Sequence, residues 1–302
     1  MRLRSYGLIF PMAGLRNQIY SAVCGYLGAL SFGYVIGYSS PALPQMTLFQ
    51  DNDSAASWFG SIVTLGGIIG SVFAGWFVQR RGRRSTMLAS AVPYLLGWVF
   101  IYIGTTFELL CLGRFLTGIG CSVAIVAVPL YIAETASKDL RGTLGSGVQL
   151  SIAFGILLVY ALGLAFNWRD LALIGTVIPV VAVMLGLRSP ESPRFLLDVG
   201  HKGEAVSTLT KLRGSSAIAE EECRDMEESA SGFVAHASLG DLVRRPELFR
   251  PLMIGVMTMV FQQMSGINIV IFYTVSVFQV DLTDFEIFFV HIFTLHTSIS
   301  HY

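Results

Sequence analysis

The chain has 302 residues, of which 53% are hydrophobic and only 13% charged, and its 20 Lys and Arg are balanced by 20 Asp and Glu. A soluble domain carries about 25% charged residues, so the composition argues against one. A net charge of zero leaves no electrostatic argument for a nucleic-acid partner.

The first residues, MRLRSYGLIF, are basic, but Pro11 interrupts a short apolar core and no small-residue cleavage pattern follows, so this is not read as a signal peptide. Tyr6 to Ile9 fits a tyrosine-based sorting pattern, which leaves the plasma membrane and an endosomal or lysosomal membrane both open. Segments free of charge then recur at 19–50, 54–78, 85–107, 121–133, 143–168, 171–187 and 251–280, and the fourth extends back to Leu109 across Arg114. Each apolar part runs about 17–25 residues, enough to cross a bilayer core at about 1.5 Å per residue. Only helices and closed barrels satisfy their backbone within lipid, and barrel-like alternation is not seen. The reading is an all-α membrane protein: a six-helix bundle over 1–187, a polar linker over 188–250, a seventh span over 251–280 and a tail over 281–302.

Basic residues set the expected topology. Of the 20 Lys and Arg, only Arg114 and Arg169 lie outside the N-terminal segment, the even-to-odd connections and the linker. Loops rich in Lys and Arg stay in the cytoplasm, which puts the N-terminus there. Asn52-Asp53-Ser54 falls in an external loop, making Asn52 a glycosylation candidate. In the linker, Ala205, Leu209 and Leu212 share a helical stripe closed by Gly214, AIAEEECRDMEESA is an acidic helix candidate, and Ser238 with Asp241 resembles a helix cap. The four cysteines, Cys24, Cys111, Cys121 and Cys223, lack metal-ligand spacing and read as packing residues. Nothing implies a cofactor.

Inside the spans the polar groups are amides and hydroxyls rather than carboxylates. Arg114 is the one charge at depth, and the scarcity of intramembrane charge argues for a neutral substrate over ion coupling. Gln149 lies in the fifth span; Gln262, Gln263, Ser265, Asn268 and Tyr273 lie in the seventh, around Gly266. Gln262, Ser265 and Asn268 recur every three residues, so an unbroken helix carries them on one stripe. An amide offers two donors and an acceptor, which suits it to replace the water that a polyhydroxylated solute sheds. Such amides also fasten membrane helices to one another, but this many around a glycine favour a wet cavity with a bent backbone.

Five pieces in order then carry a resemblance: GWFVQRRGRRS, GRFLTG, PLYIAETASKDLRGTLGS, PESPRFLL and FQQMSGINIVIFY. Together they resemble the sugar porter family of the major facilitator superfamily, nearest the facilitative glucose transporters, with insect trehalose transporters second. The resemblance implies facilitative uniport of a neutral sugar, glucose, another hexose or trehalose, by alternating access. It implies sugar contacts at Gln149, Ile152, Ile156, Gln262, Gln263, Asn268 and Phe32. It also implies cytoplasmic charges that pair between helices and bundle halves, at Arg83, Arg84, Glu134, Arg141, Glu191 and Arg194. Gln79 stands where the family's loop motif usually has an acid, and Val35 where proton-coupled relatives have an aspartate; the second difference favours uniport. Family members have twelve helices, and similarity stops near Gln279. The alternative expectation is therefore a truncated form that lacks the C-terminal bundle, does not transport alone, and associates with a full-length transporter. Partners beyond sugar are membrane lipid, and no nucleic acid.

Overall fold

The computed structural model describes residues 12–49, 52–232 and 246–280. The expected cap at Ser238 and the tail after 280 lie outside the described residues. Twelve α-helices are formed among them: α1 Met12–Ala42, α2 Asp53–Arg81, α3 Arg83–Ala89, α4 Ala91–Ile103, α5 Phe107–Thr135, α6 Arg141–Gly163, α7 Trp168–Gly186, α8 Pro193–Asp198, α9 Lys202–Arg213, α10 Ser216–Gly232, α11 Pro246–Met264 and α12 Ile267–Val280. Seven stretches are long and apolar enough to cross a membrane: α1, α2, α3 with α4, α5, α6, α7, and α11 continuing into α12. Large apolar side chains such as Val72, Phe73 and Leu150 point outward, as expected where hydrocarbon is the solvent.

Successive spans run in opposite directions. Arg80, Arg81, Arg83 and Arg84 cluster at one end, where α2 stops and α3 starts. At the other end α2, α5 and α7 each begin at a polar cap: Asn52, Thr106 and Asn167 accept hydrogen bonds from the first free backbone N–H groups. Asn52, the glycosylation candidate, is exposed and holds this cap through Oδ1, 3.0 Å from the Ala55 nitrogen.

Small residues let the spans touch backbone to backbone, as membrane helices require when no hydrophobic effect drives them together. A methyl group on Gly118 of α5 would lie 2.1 Å from the Val63 carbonyl oxygen of α2, and one on Gly66 2.1 Å from that of Phe115. Likewise Gly33 of α1 faces the Ile152 carbonyl at 2.0 Å, and Gly155 of α6 faces that of Leu30 at 2.3 Å. Four tyrosines of α1 tighten the bundle. Tyr20, Tyr34 and Tyr38 donate to the Leu185, Leu171 and Trp168 carbonyls of α7, and Tyr26 to that of Leu144 on α6. Trp98 of α4 wedges edge-on against Tyr34 and Tyr38, with ring centroids 5.6 and 5.0 Å away.

The polar helices after α7 are bolted to the arginine-rich end. Gly214 adopts φ 75° and closes α9, a left-handed cap that favours glycine. The buried Gln18 donates to the Leu212 carbonyl and accepts from the Ser137 N–H, both at 2.8 Å. Arg213 donates to the Thr135 carbonyl at the end of α5 and grips Glu222 of α10 with two nitrogens, at 2.7 and 2.8 Å. Leu209, Ala219 and Cys223 form a small core between α9 and α10.

Candidate functional site

The seventh span is broken twice. α11 ends at Met264, and Gly266 takes φ 73°, a left-handed turn that costs glycine little and other residues more. Farther along, Tyr273 leaves helical geometry at φ −123° and ψ 19°. Ile271 and Val275 flank this second kink and are the i and i+4 pair of a regular helix. The Ile271 carbonyl here accepts from Tyr160 Oη of α6 at 2.6 Å, and the Val275 N–H donates to Ser40 Oγ of α1 at 2.8 Å. Tyr160 also hydrogen-bonds Thr274 Oγ1 at 3.0 Å. The Tyr273 hydroxyl sits where a methyl group on Gly60 of α2 would be 2.8 Å away. Three helices thus hold α12 at the end away from the arginines.

The candidate residues lie on the arginine-rich side of that fastening. On α6, Gln149, Ile156 and Tyr160 are spaced by seven and four residues and share a stripe. Gln149 is eleven residues before Tyr160, about 16 Å along the axis. On α1, Phe32, Ile36 and Ser40 form a matching stripe, with Phe32 about 12 Å before Ser40. Gln149 is exposed, and Phe32, Ile36 and Ile156 are half-buried. Phe32, Ile152 and Ile156 meet in one apolar cluster. Ile152 itself is buried on the neighbouring face with Val148, Gly155 and Val159, against α1. It supports the open stripe rather than lining it.

The amides of the seventh span do not keep the register of an unbroken helix. The turn at Gly266 ends the Gln262–Ser265–Asn268 stripe, and Ser265 Oγ instead donates to the Gln262 carbonyl at 2.6 Å. Asn268 Nδ2 reaches back across the break to Gln263 Oε1 at 2.7 Å. Gln263 and Asn268 are therefore brought together, while the Gln262 side chain is exposed on α11.

Arg114 of α5 is fully buried. Its guanidinium is held by neutral groups: the Val35 carbonyl at 2.8 Å, Ser39 Oγ at 2.6 Å and the Phe59 carbonyl at 3.5 Å, with the Tyr38 and Phe59 rings 5.8 and 5.4 Å away. Among the described residues, no carboxylate makes an ion pair or hydrogen bond with it. The arrangement ties α1, α2 and α5 together.

At the opposite end the expected charges sort into two groups. Arg83 Nη2 donates to Glu134 Oε1 at 3.0 Å, and its Nε lies 2.8 Å from Oε2, though without the alignment of a hydrogen bond. Ser192 Oγ completes the Glu134 carboxylate. Glu191 accepts from the Arg84 and Ser85 backbone N–H groups, at 2.8 and 3.3 Å. The Arg84 guanidinium turns to the Gly186 and Leu187 carbonyls, at 3.0 and 2.6 Å, and so caps α7 rather than pairing with an acid. Arg141 and Arg194 line a cavity beside Glu134 without an ion pair among the described residues. Gln18, Arg213, Ser40 and Tyr160 were not singled out by sequence reading. Tyr160 had a readable signal, one helical turn beyond Ile156 on the Gln149 stripe.

A family model for sugar (and other) transporters matches residues 21–298. Facilitated glucose transporter member 8 of Mus musculus, of solute carrier family 2, is 41% identical over 269 residues, which cover 87% of this chain and 55% of the relative. The facilitated trehalose transporter Tret1 of Polypedilum vanderplanki is 38% identical over 274 residues, covering 87% and 54%. The partially occluded, inward-open form of the xylose transporter XylE from E. coli matches with a TM-score of 0.72 and 27% identity over 85% of this chain and 66% of that one. The chain spans about half the length of the curated relatives it matches.

Proposed function

We propose, because the chain belongs to the sugar transporter family of the major facilitator superfamily, that it supplies one bundle and the seventh span of a facilitative carrier for a neutral sugar, a hexose first. It is a multi-pass integral membrane protein. One observation supports the reading: α12 is fastened to α1, α2 and α6 at one end, and in this proposal Gln149, Gln263, Asn268, Phe32 and Ile156 contact the sugar on the arginine-rich side of that fastening. In this proposal the arginine-rich end is cytoplasmic, so the state is closed outside and the site opens inward, as alternating access requires. Ile152 backs the site, and Gln262 joins it when α11 moves. Arg83, Arg84, Glu134, Arg141, Glu191 and Arg194 work the inner gate.

The chemistry supports a neutral guest. A sugar hydroxyl stripped of water costs several kcal/mol unless it is hydrogen-bonded, on the order of 2–7 kcal/mol per group, and carboxamides return both donors and acceptors. Uniport is the reading because Val35 cannot bind a proton and Arg114 is satisfied by carbonyls and a hydroxyl. Hexose uptake into proteoliposomes containing the full chain tests this. Saturable uptake that is lost in Gln263→Leu and indifferent to an imposed pH gradient supports it; uptake no greater than that of empty vesicles refutes it.

A second reading has its own observation. Ile254, Met259, Phe261 and Met264 of α11 are 61–78% exposed, an apolar surface that suits association with a full-length transporter. Co-purification with a tagged full-length relative, reduced by charged substitutions on that surface, distinguishes it.

A further inference from the structure

Two exposed stripes end in an arginine at the same level of the bundle. On α1, Arg16, Ile19 and Val23 are spaced by three and four residues and are all exposed, so they share one face. Val23 lies nine residues before Phe32, about two and a half turns. This face is therefore opposite the Phe32–Ser40 stripe that meets α12. On α7, Val177, Val181, Met184 and Arg188 are spaced by four, three and four and are likewise exposed. One carbonyl joins the two helices there. Leu185 accepts from Tyr20 Oη at 2.6 Å and from the Arg188 backbone N–H at 3.1 Å. Arg16 stands one turn from Tyr20 toward the arginine-rich end. On its other flank α1 holds α6, where Tyr26 donates to the Leu144 carbonyl at 2.7 Å. The strip of α1 between α6 and α7 stays uncovered at Ile19 and Val23.

Neither arginine makes an ion pair or side-chain hydrogen bond among the described residues. Positions 1–15 contain Arg2 and Arg4 but no Asp or Glu. Glu191, the acid closest to Arg188 along the chain, is turned to the backbone N–H groups of Arg84 and Ser85. The Arg84 guanidinium covers the last α7 carbonyls and adds positive charge. A lone arginine above an apolar helix face only lifts its head into the interface. Two that flank one seam, above a strip of aliphatic side chains, suit a phosphate that carries a hydrocarbon chain. The planar guanidinium matches two phosphate oxygens at once, and basic clefts between spans are where anionic headgroups settle. We propose that the seam between α1 and α7 binds an anionic glycerophospholipid, its phosphate between Arg16 and Arg188 and an acyl chain along Ile19, Val23 and Val181. The site faces away from the amide stripes and does not depend on which sugar, if any, the chain moves. Only its leaflet rests on the proposed orientation: with the arginine-rich end cytoplasmic, it meets the leaflet richer in anionic lipid.

The 302-residue chain is placed in phosphatidylcholine nanodiscs that carry a trace of phosphatidylserine or of phosphatidylcholine with a photoreactive acyl chain. Adducts are mapped by mass spectrometry after illumination. The ratio of serine-lipid to choline-lipid adducts at Ile19, Val23 and Val181 exceeds that at Val92 and Leu96, on the exposed face of α4, about tenfold or more, as two arginines near a headgroup predict. Arg16→Gln with Arg188→Gln abolishes this excess. Arg80→Gln with Arg81→Gln, which removes the same charge from the same end on α2, leaves it in place. Equal ratios at the two faces overturn the site, and so does equal loss in both double variants, which is what diffuse surface charge produces. Inorganic phosphate, added against chloride at matched ionic strength, does not displace the serine lipid; displacement overturns the lipid assignment, because a bare ion makes no use of the apolar strip. All four arginines are exposed, and gel filtration of each variant checks that it remains folded.

Discussion

Tyr160→Phe isolates the fastening of α12. The ring stays, while the hydrogen bonds to the Ile271 carbonyl at 2.6 Å and to Thr274 Oγ1 at 3.0 Å are lost. Side-chain hydrogen bonds in membrane bundles average about 0.6 kcal/mol and reach about 1.7, so the pair is worth about 1–2 kcal/mol. If those bonds exist only while this end is closed, their loss raises the open population about 5–30-fold. Thr64, one turn beyond Gly60 on α2, is exposed on the side away from the bundle core. The native cysteines are all buried, so Thr64→Cys provides a single accessible thiol. Labelling by a membrane-impermeant maleimide, added from the side opposite the arginine-rich end, accelerates about 5–30-fold when Tyr160→Phe is present, and Ser40→Ala adds to it. An unchanged rate would refute the fastening. So would an equal acceleration from the arginine-rich side, which signals general loosening instead.

Gly33→Ala places a methyl 2.0 Å from the Ile152 carbonyl and forces α1 and α6 apart, at a cost of about 1–3 kcal/mol; the melting temperature in detergent drops, while Gly142→Ala, with nothing within 4 Å, leaves it unchanged. Glu134→Gln leaves Arg83, whose side chain is only 11% exposed, with Asp198 at 3.7 Å as its remaining carboxylate, and costs about 1–3 kcal/mol by thermal unfolding; replacing both partners with apolar residues recovers part of the loss. Burial, followed by nearby Glu227, raises the Cys223 thiol above its ordinary range. Because the folded value is the higher one, this contribution to stability is complete below the unfolded thiol's pKa and is lost as pH climbs through the folded value. The melting temperature therefore falls on moving above about pH 9, less so in Cys223→Ala, and alkylation of Cys223 at neutral pH is slow.

The spans were legible because each is apolar around its whole circumference, which needs no knowledge of neighbours. Gly214 and the Ala205–Leu209–Leu212 stripe were legible as well, since a cap and its stripe are local. The site was legible as residue types but not as register. One left-handed residue, Gly266, rotates everything after it, so a count in threes fails across it, and Gln263 rather than Gln262 meets Asn268. The resemblance implies a sugar contact at Ile152, whereas its burial depends on Gly33 of another helix. Arg84 illustrates a further limit. A guanidinium satisfies itself on the last carbonyls of α7 as readily as on an acid, and sequence does not reveal where that helix end lies in space.

The turn at Gly266 has a mechanical corollary. With α12 pinned and α11 exposed along most of its length among the described residues, the break is a fulcrum and α11 an oar about 28 Å long. A swing of about ten degrees carries its far tip about 5 Å, yet displaces Gln263, three residues from the pivot, by less than about 1 Å. Under the proposed function, a guest held beside the pivot would scarcely be disturbed by such a swing.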